Sequence, residues 1–395
     1  MASSMPCIKK SWGKTMKNPD AIVIGAGIVG ACSALSLTNA GFKVLIIDRG
    51  TVASGTTGAG EGNILVSDKD PGPELTLALR SRDLWFEMQE DVGDSFELEA
   101  KGGVVVARSD DSQLMALARS QSAHGVVTEK LDSKRLHELE PYLHPDLSSG
   151  VFYPQDAQCQ PMLAAARIIQ SVIARGGELV MRSKVLGFSI VNDSIKSVKT
   201  STGEYSASIV INAAGTWAGE IASLAGSHLP VAPRRGFILV TEPAPQYIFH
   251  KVYDSDYVVN VASSDADLQT STVVEGTRSG TILIGASRER VGFDSTMNYE
   301  IVRKLAAQAT SLFPILRDVQ LLRVYRGFRP YAPDQIPLIG EDYRVKGLWH
   351  SAGHEGAGIG LAPGSAALIT DTILGRQSFM DPAAFAPKRF SEVLQ

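Results

Sequence analysis

The chain has 395 residues, 44% hydrophobic and 20% charged, close to the averages of soluble globular proteins. That length exceeds one simple core and suits two domains, while a formal net charge of −4 gives no electrostatic ground for nucleic acid or an anionic membrane as the main partner. No apolar run approaches the roughly 20 residues of a membrane span, and Cys7, Cys32 and Cys159, far apart with no CxxC pair, suggest neither a disulfide framework nor a zinc or four-cysteine iron–sulfur site.

Residues 1–19 carry Lys9, Lys10, Lys14 and Lys17 with no acidic residue and no apolar h-region. They read as a disordered leader rather than a secretory signal, and a cytoplasmic location is the default expectation. Ala21–Gly25 then reads as a short apolar strand, Ile28–Asn39 as a helix and Lys43–Asp48 as a second strand. Buried parallel strands are continuous apolar runs, so this is a βαβ unit. A polar loop, Ser54–Asn63, leads to a helix over about 74–91. Gly103–Ala107 reads as a strand and 110–140 as helices of another domain. Pro161–Arg175 follows as a helix and Ile209–Ala214 as a buried strand. From 230 to 292, β-branched segments separated by polar turns predict an antiparallel sheet. Tyr299–Phe313 is a helix stopped by Pro314, Tyr325–Arg329 and Leu348–Ser351 are strands, and a last helix runs from about Gly358 to Leu374 with Gly375 past its end.

Gly25-Ala26-Gly27-Ile28-Val29-Gly30 matches GxGxxG between a strand and a helix. Gly25 makes the tight turn, Gly27 admits a pyrophosphate to the backbone, and Gly30 lets the helix pack on the sheet. Asp48 closes the next strand, where a carboxylate accepts from both ribose hydroxyls and disfavours a 2′-phosphate. Three further elements favour FAD over NAD. Ser54-Gly55-Thr56-Thr57-Gly58-Ala59-Gly60 offers N–H groups and hydroxyls to a longer ligand. Asn212-Ala213-Ala214-Gly215 ends a strand in small residues beside which a flat ligand can lie. Gly353-His354-Glu355-Gly356-Ala357-Gly358 opens a helix whose N-terminus suits the N1–C2=O region of a flavin.

With these elements the chain resembles the D-amino-acid oxidase-like FAD-dependent oxidoreductases, which include glycine oxidase and sarcosine oxidase. The resemblance runs from about Asp20 to Arg376. It is carried by Val23–Gly30, Asn212-Ala213-Ala214-Gly215-Thr216-Trp217, Pro233–Gly236 with Arg235, Gly285–Asp294, Gly327-Phe328-Arg329-Pro330, Asp334–Gly340 and Gly353–Pro363. It implies an α/β (α+β mixed) fold, a Rossmann-like FAD-binding domain (20–91, 153–228, 323–378) interleaved with an antiparallel-sheet substrate domain (92–152, 229–322), with a tail at 379–395. It also implies cofactor contacts from Arg49, Glu61, Gly62, Asn63 and Val185. FAD should be non-covalent, because no cysteine lies between Arg326 and Leu361, where sarcosine oxidase-like enzymes attach it.

Gly353-His354-Glu355-Gly356 and the long stretch Asp265–Gly280 look more like the flavin β-subunits of opine oxidase, D-hydroxyproline dehydrogenase and hydrogen cyanide synthase. That likeness implies an α-subunit and a small iron–sulfur subunit as electron-accepting partners. Phe237 departs from the glutamine that many members carry after Arg235-Gly236, which points to a missing polar contact.

Arg329 is the candidate clamp for a substrate carboxylate, which a guanidinium meets with two parallel hydrogen bonds. Arg326, three residues earlier on the strand, should face the other side. His354 either contacts the flavin and orders its turn, or acts as a base. Glu355 either binds a substrate amine or pairs with an arginine, and Glu61 has the same two readings. Tyr257 is a candidate pocket wall by its place in the resemblance. The expected chemistry is oxidation of a C–N bond by hydride transfer to flavin N5, in a dehydrogenase subunit or, alternatively, a peroxide-forming oxidase. No metal site is expected.

Overall fold

The computed structural model describes residues 18–108, 110–255 and 268–391. The first 17 residues of the leader with Cys7, Tyr257, the beginning of the 265–280 stretch and the last four residues of the tail lie outside the described residues.

Ala21–Ile24 and Val44–Ile47 are buried at every position and pair in parallel, Ala21 opposite Val44 through Ile24 opposite Ile47. They are apolar throughout because both faces are covered. Ala21, Val23, Val44 and Ile46 pack with the helices Ile28–Asn39, Pro161–Ala174 and Gly358–Ile373. The alternate residues Ile22, Ile24, Leu45 and Ile47 pack on Val185, Ile195 and Val198 of a three-stranded antiparallel sheet, Val185–Val191, Ser194–Thr200 and Gly203–Ser206, as a period of two requires. The full sheet has six strands in the order Leu338–Glu341, Leu348–Ala352, Ile209–Asn212, Ala21–Ile24, Val44–Ile47, Glu178–Val180. All its pairs are parallel except the first, so the carboxyl ends of Ala21–Ile24, Val44–Ile47 and Ile209–Asn212 share one edge.

A second sheet has eight strands in the order Leu321–Tyr331, Ala232–Thr241, Ile282–Arg288, Gln269–Gly276, Lys251–Asp254, Gly103–Ala107, Ser149–Tyr153, Glu129–Asp132. The predicted antiparallel pairs over 232–288 are present, but Lys251–Asp254 runs parallel to Gly103–Ala107, so the whole sheet is mixed. One face is closed by the helix Tyr299–Leu312 through Ile301, Leu305, Ala309 and Leu312 against Val104, Val106, Phe237, Leu239 and Ile284. Asn298 caps that helix by accepting from the N–H groups of Glu300 and Ile301. The side chains that alternate with this core, Gly236 and Ile238, face the other way, toward a large cavity. Phe237 itself is fully buried in the core face, turned away from that cavity.

Candidate active site

The GxGxxG turn is built as its spacing demands. Gly25 has φ +116°, which side-chain-bearing residues rarely adopt, and a Cβ there would run into the carbonyl oxygen of Ala213. A Cβ on Gly30 would strike the Gly25 carbonyl, and one on Gly27 would stand 3.0 Å from Thr57 Oγ1. Thr57 Oγ1 accepts from the Ile28 N–H at the start of the helix (3.0 Å). Asp48 steadies the turn, accepting from Ala26 N–H at 2.7 Å and Gly50 N–H at 2.6 Å. A carboxylate offers about four lone pairs, so both bonds leave it able to take a diol.

From this edge a cavity of about 520 Å³ runs to the second sheet, within the roughly 300–1,000 Å³ of ligand clefts. Of the predicted residues, Gly25, Gly27, Ile28, Val29, Asp48, Arg49, Gly55, Thr56, Thr57, Gly60, Glu61 and Asn63 line it. So do Val185, Ala213, Ala214, Gly215, Trp217, Arg329, His354, Glu355, Gly356 and Gly358. Ala26, Gly30, Gly62, Gly353 and Ala357 are not on the wall. They shape it from behind: a Cβ on Gly62 would overlap the backbone of Cys159, and Gly353 holds φ +74°. Arg326 is also off the wall, as its alternation with Arg329 requires.

Sequence reasoning missed Gly236, Ile238, Gly327 and Phe328 as wall residues. Their signal was glycine placed beside arginine in otherwise β-forming strands, in Arg235-Gly236 and Gly327-Phe328-Arg329.

The donor set fits FAD. Backbone N–H groups at a helix N-terminus suit a pyrophosphate, Asp48 suits a ribose diol, and Ala213-Ala214 leaves a flat wall. The same cavity is lined by Gly60, Asn63, Arg329 and Gly356, giving room to a three-ring isoalloxazine that is larger than the single nicotinamide ring of NAD. Thr56 and Thr216 tie the strand Leu321–Tyr331 to the side of the glycine turn, both hydroxyls donating to the Phe328 carbonyl at 2.7 Å.

Arg329 enters from the strand Leu321–Tyr331 and donates from NH1 to the Ser287 carbonyl at 2.8 Å. Glu355 Oε1 stands 3.5 Å from Arg234 and 3.7 Å from Arg288. Burial works to raise its carboxyl, but Arg288, Arg329 and Arg234 together outweigh it and hold it below the usual range. His354 is 3% exposed, with Nε2 hydrogen-bonded to Ser365 Oγ at 3.0 Å. Burial pushes its ring down to about 4, so it is neutral at pH 7.

A Rossmann-like sheet with this turn, opening through a cofactor-sized cavity onto a second sheet, defines an FAD-dependent oxidoreductase. The chain belongs to the FAD dependent oxidoreductase family (DAO), whose model matches residues 20–372. It is 30% identical over 375 residues to a glycine oxidase of Pseudomonas aeruginosa, covering 93% of this chain and 98% of that one. It is 26% identical to hydrogen cyanide synthase subunit HcnC of the same species, over 94% of this chain and 96% of the other. Among solved structures, L-proline dehydrogenase from P. horikoshii is similar with a TM-score of 0.87 and 25% identity, covering 95% of this chain and 99% of that one. No described helix is long and apolar enough to cross a membrane.

Proposed function

We propose that the protein oxidises the C–N bond of a small amino-carboxylate, as the flavin-bearing β-subunit of a heteromeric dehydrogenase. The observation that carries the reading is Arg329, a guanidinium that the eight-stranded sheet places on the cavity wall. Bound FAD supplies the two-electron acceptor. Arg329 takes the carboxylate with paired hydrogen bonds, which fixes the substrate so that its Cα–H faces the acceptor. The ammonium first gives up a proton to water; the Cα hydrogen then leaves with its electron pair, the freed nitrogen lone pair forms the C=N bond, and water hydrolyses the imine. His354, neutral and tied to Ser365, orders the turn that opens the last helix rather than carrying a charge.

The run Gly353-His354-Glu355-Gly356 and the relative named as a hydrogen cyanide synthase subunit support the subunit reading, with an α-subunit and a small iron–sulfur subunit as acceptors. Similarity to a glycine oxidase at 30% supports a second reading, a self-sufficient oxidase that forms hydrogen peroxide.

Anaerobic mixing of the FAD-loaded protein with glycine, sarcosine, the enantiomers of alanine and proline, and an N-(carboxyalkyl) amino acid tests the reading. At least one is expected to bleach the flavin. Sluggish reoxidation in air then supports the subunit, and prompt reoxidation with peroxide supports the oxidase. Arg329→Ala is expected to retain FAD and raise the substrate concentration needed by roughly 30-fold or more, the worth of a truncated charge pair at about 2–5 kcal/mol. An unchanged concentration dependence would remove Arg329 from the clamp.

A further inference from the structure

Three adjacent strands of the eight-stranded sheet each place a glycine at the cavity end of the sheet. Gly236 pairs with Gly327 across one boundary, and Gly285 lies on the next strand. A Cβ at Gly236 would strike the Arg329 guanidinium, one at Gly327 would strike Ala59, and one at Gly285 would strike Glu61 Oε1. Glycine therefore clears the floor under two side chains of opposite charge. Arg329 is anchored on Ser287, two residues beyond Gly285 on the same strand. The two charged ends consequently lie on the order of 7 Å apart along it.

Glu61 lines the cavity, yet its side chain is only 5% exposed. Its Oε2 accepts from Asn63 Nδ2 at 3.1 Å and faces Lys251 Nζ at 3.8 Å. The Lys251 ammonium is directed at Asn63 Oδ1 and at Glu275, 2.7 Å away. Glu61 Oε1 has no hydrogen-bond partner among the described residues. A buried carboxylate oxygen without a donor is costly, and a cationic N–H arriving in the cavity would satisfy it. Among the other carboxylates on the wall, Asp48 holds the glycine turn, and Glu355, whose Oε1 likewise has no hydrogen-bond partner among the described residues, already faces Arg234 and Arg288 at 3.5 and 3.7 Å.

We propose that Glu61 Oε1 receives the nitrogen of the substrate, so that Glu61 and Arg329 hold the two ends of a zwitterionic amino-carboxylate above the glycine floor. In an α-amino acid one carbon separates nitrogen from carboxylate, and with a charge-assisted hydrogen bond of about 2.8 Å at each end the molecule spans that gap. Glu61 then selects for a protonated primary or secondary amine and leaves nitrogen-free carboxylates to Arg329 alone.

The inference rests on the amino-carboxylate reading above, and its test separates the two. FAD-loaded wild type, Glu61→Gln and Glu61→Asp are titrated with two matched pairs: glycine against acetate, and proline against cyclopentanecarboxylate, in which a methylene replaces the nitrogen. Binding is read from perturbation or bleaching of the flavin absorbance. Glu61→Gln is expected to weaken the amino-carboxylates roughly 10- to 100-fold, the worth of a hydrogen bond to a charged group, and to leave acetate and cyclopentanecarboxylate unchanged. Glu61→Asp should fall between.

Equal binding of amino-carboxylates by wild type and Glu61→Gln overturns the proposal and leaves the function standing. Equal weakening within each pair overturns it too, since that marks a structural role. Loss of FAD from both variants assigns Glu61 to the cofactor and overturns it. If no amino-carboxylate binds or bleaches the wild type, the proposed function falls and the anchor with it.

Discussion

Asp156 and His354 are buried titratable groups whose effects on stability oppose each other. Burial drives the Asp156 carboxyl up from 3.8 to about 7, although it accepts hydrogen bonds from the Val66 N–H, the Ser67 N–H and the Ser67 hydroxyl, which pull it down. A raised folded value means that the native carboxyl keeps a proton the unfolded chain has released. Its contribution is whole below about 3.8 and is lost as pH rises through about 7. His354 is lowered by burial from 6.5 to about 4, so its contribution is whole above 6.5 and is lost as pH falls through about 4. Between about pH 4 and 6.5 the two slopes, each worth about 1.4 kcal/mol per pH unit, cancel. Asp156→Asn should therefore lose stability relative to wild type as pH falls from 6.5 to 4.5, and His354→Asn should lose it as pH rises over the same range. Urea midpoints of the FAD-loaded proteins at three pH values check this. Parallel curves for wild type and both variants would show that neither group titrates in that window.

At the scale of the element, the segment 289–298 works as a strap that packs on two residues of the cavity wall, Trp217 and Phe328. Arg235 holds its root: Nε meets Glu289 at 2.6 Å and NH1 meets Asp294 at 2.7 Å. The strap carries Phe293 onto the Trp217 ring, with centroids 5.4 Å apart and planes 6° from parallel, while Arg49 caps the tryptophan with Cζ 3.7 Å from the ring centroid. Phe293 is 42% exposed, so its removal costs the fold little, but Trp217 and Arg49 both line the cavity. Phe293→Ala is expected to weaken FAD retention roughly 2- to 10-fold, the worth of one aromatic pair. Release of fluorescent flavin on dilution measures it, and unchanged retention would leave the strap without a role in holding the cofactor.

How much of this was legible in the sequence follows from the same elements. The βαβ unit and Gly358–Ile373 could be read because Ala21–Ile24 and Val44–Ile47 are buried on both faces and GxGxxG marks the turn between strand and helix. The sheet over 185–206 escaped because Val185–Val191 and Ser194–Thr200 mix valine and isoleucine with serine, lysine and glycine, having one face in water. Arg329 stood out beside Pro330. The meeting of Arg234, Arg288 and Glu355, and the placing of Gly285 beneath Glu61, depend on which strands become neighbours, and that pairing is not written in local periodicity.

At the scale of the molecule, the cavity lies where the two sheets are joined. Leu321–Tyr331 is an edge strand, and an edge leaves backbone groups in search of partners. The N–H of Arg235, which stands opposite Phe328, bonds to the Glu289 carbonyl at 2.8 Å. The Phe328 carbonyl is instead satisfied from outside its sheet by the hydroxyls of Thr56 and Thr216, which follow two different strands of the six-stranded sheet. Two donors on one acceptor make each partly redundant. Thr56→Val or Thr216→Val alone leaves the carbonyl bonded and should cost about 1 kcal/mol or less, whereas the double variant orphans it and adds about 1–3 kcal/mol. The cycle should therefore be non-additive. All three segments line the FAD cavity, so FAD binding only the folded chain stabilises it by about 1.4 kcal/mol for each tenfold excess over its dissociation constant. The expected outcome is a thermal midpoint that climbs with FAD in wild type and both single variants, and that climbs from a markedly lower start in the double variant. Strict additivity of the two threonine substitutions would show that the hydroxyls act separately and that the junction is held by something other than the Phe328 carbonyl.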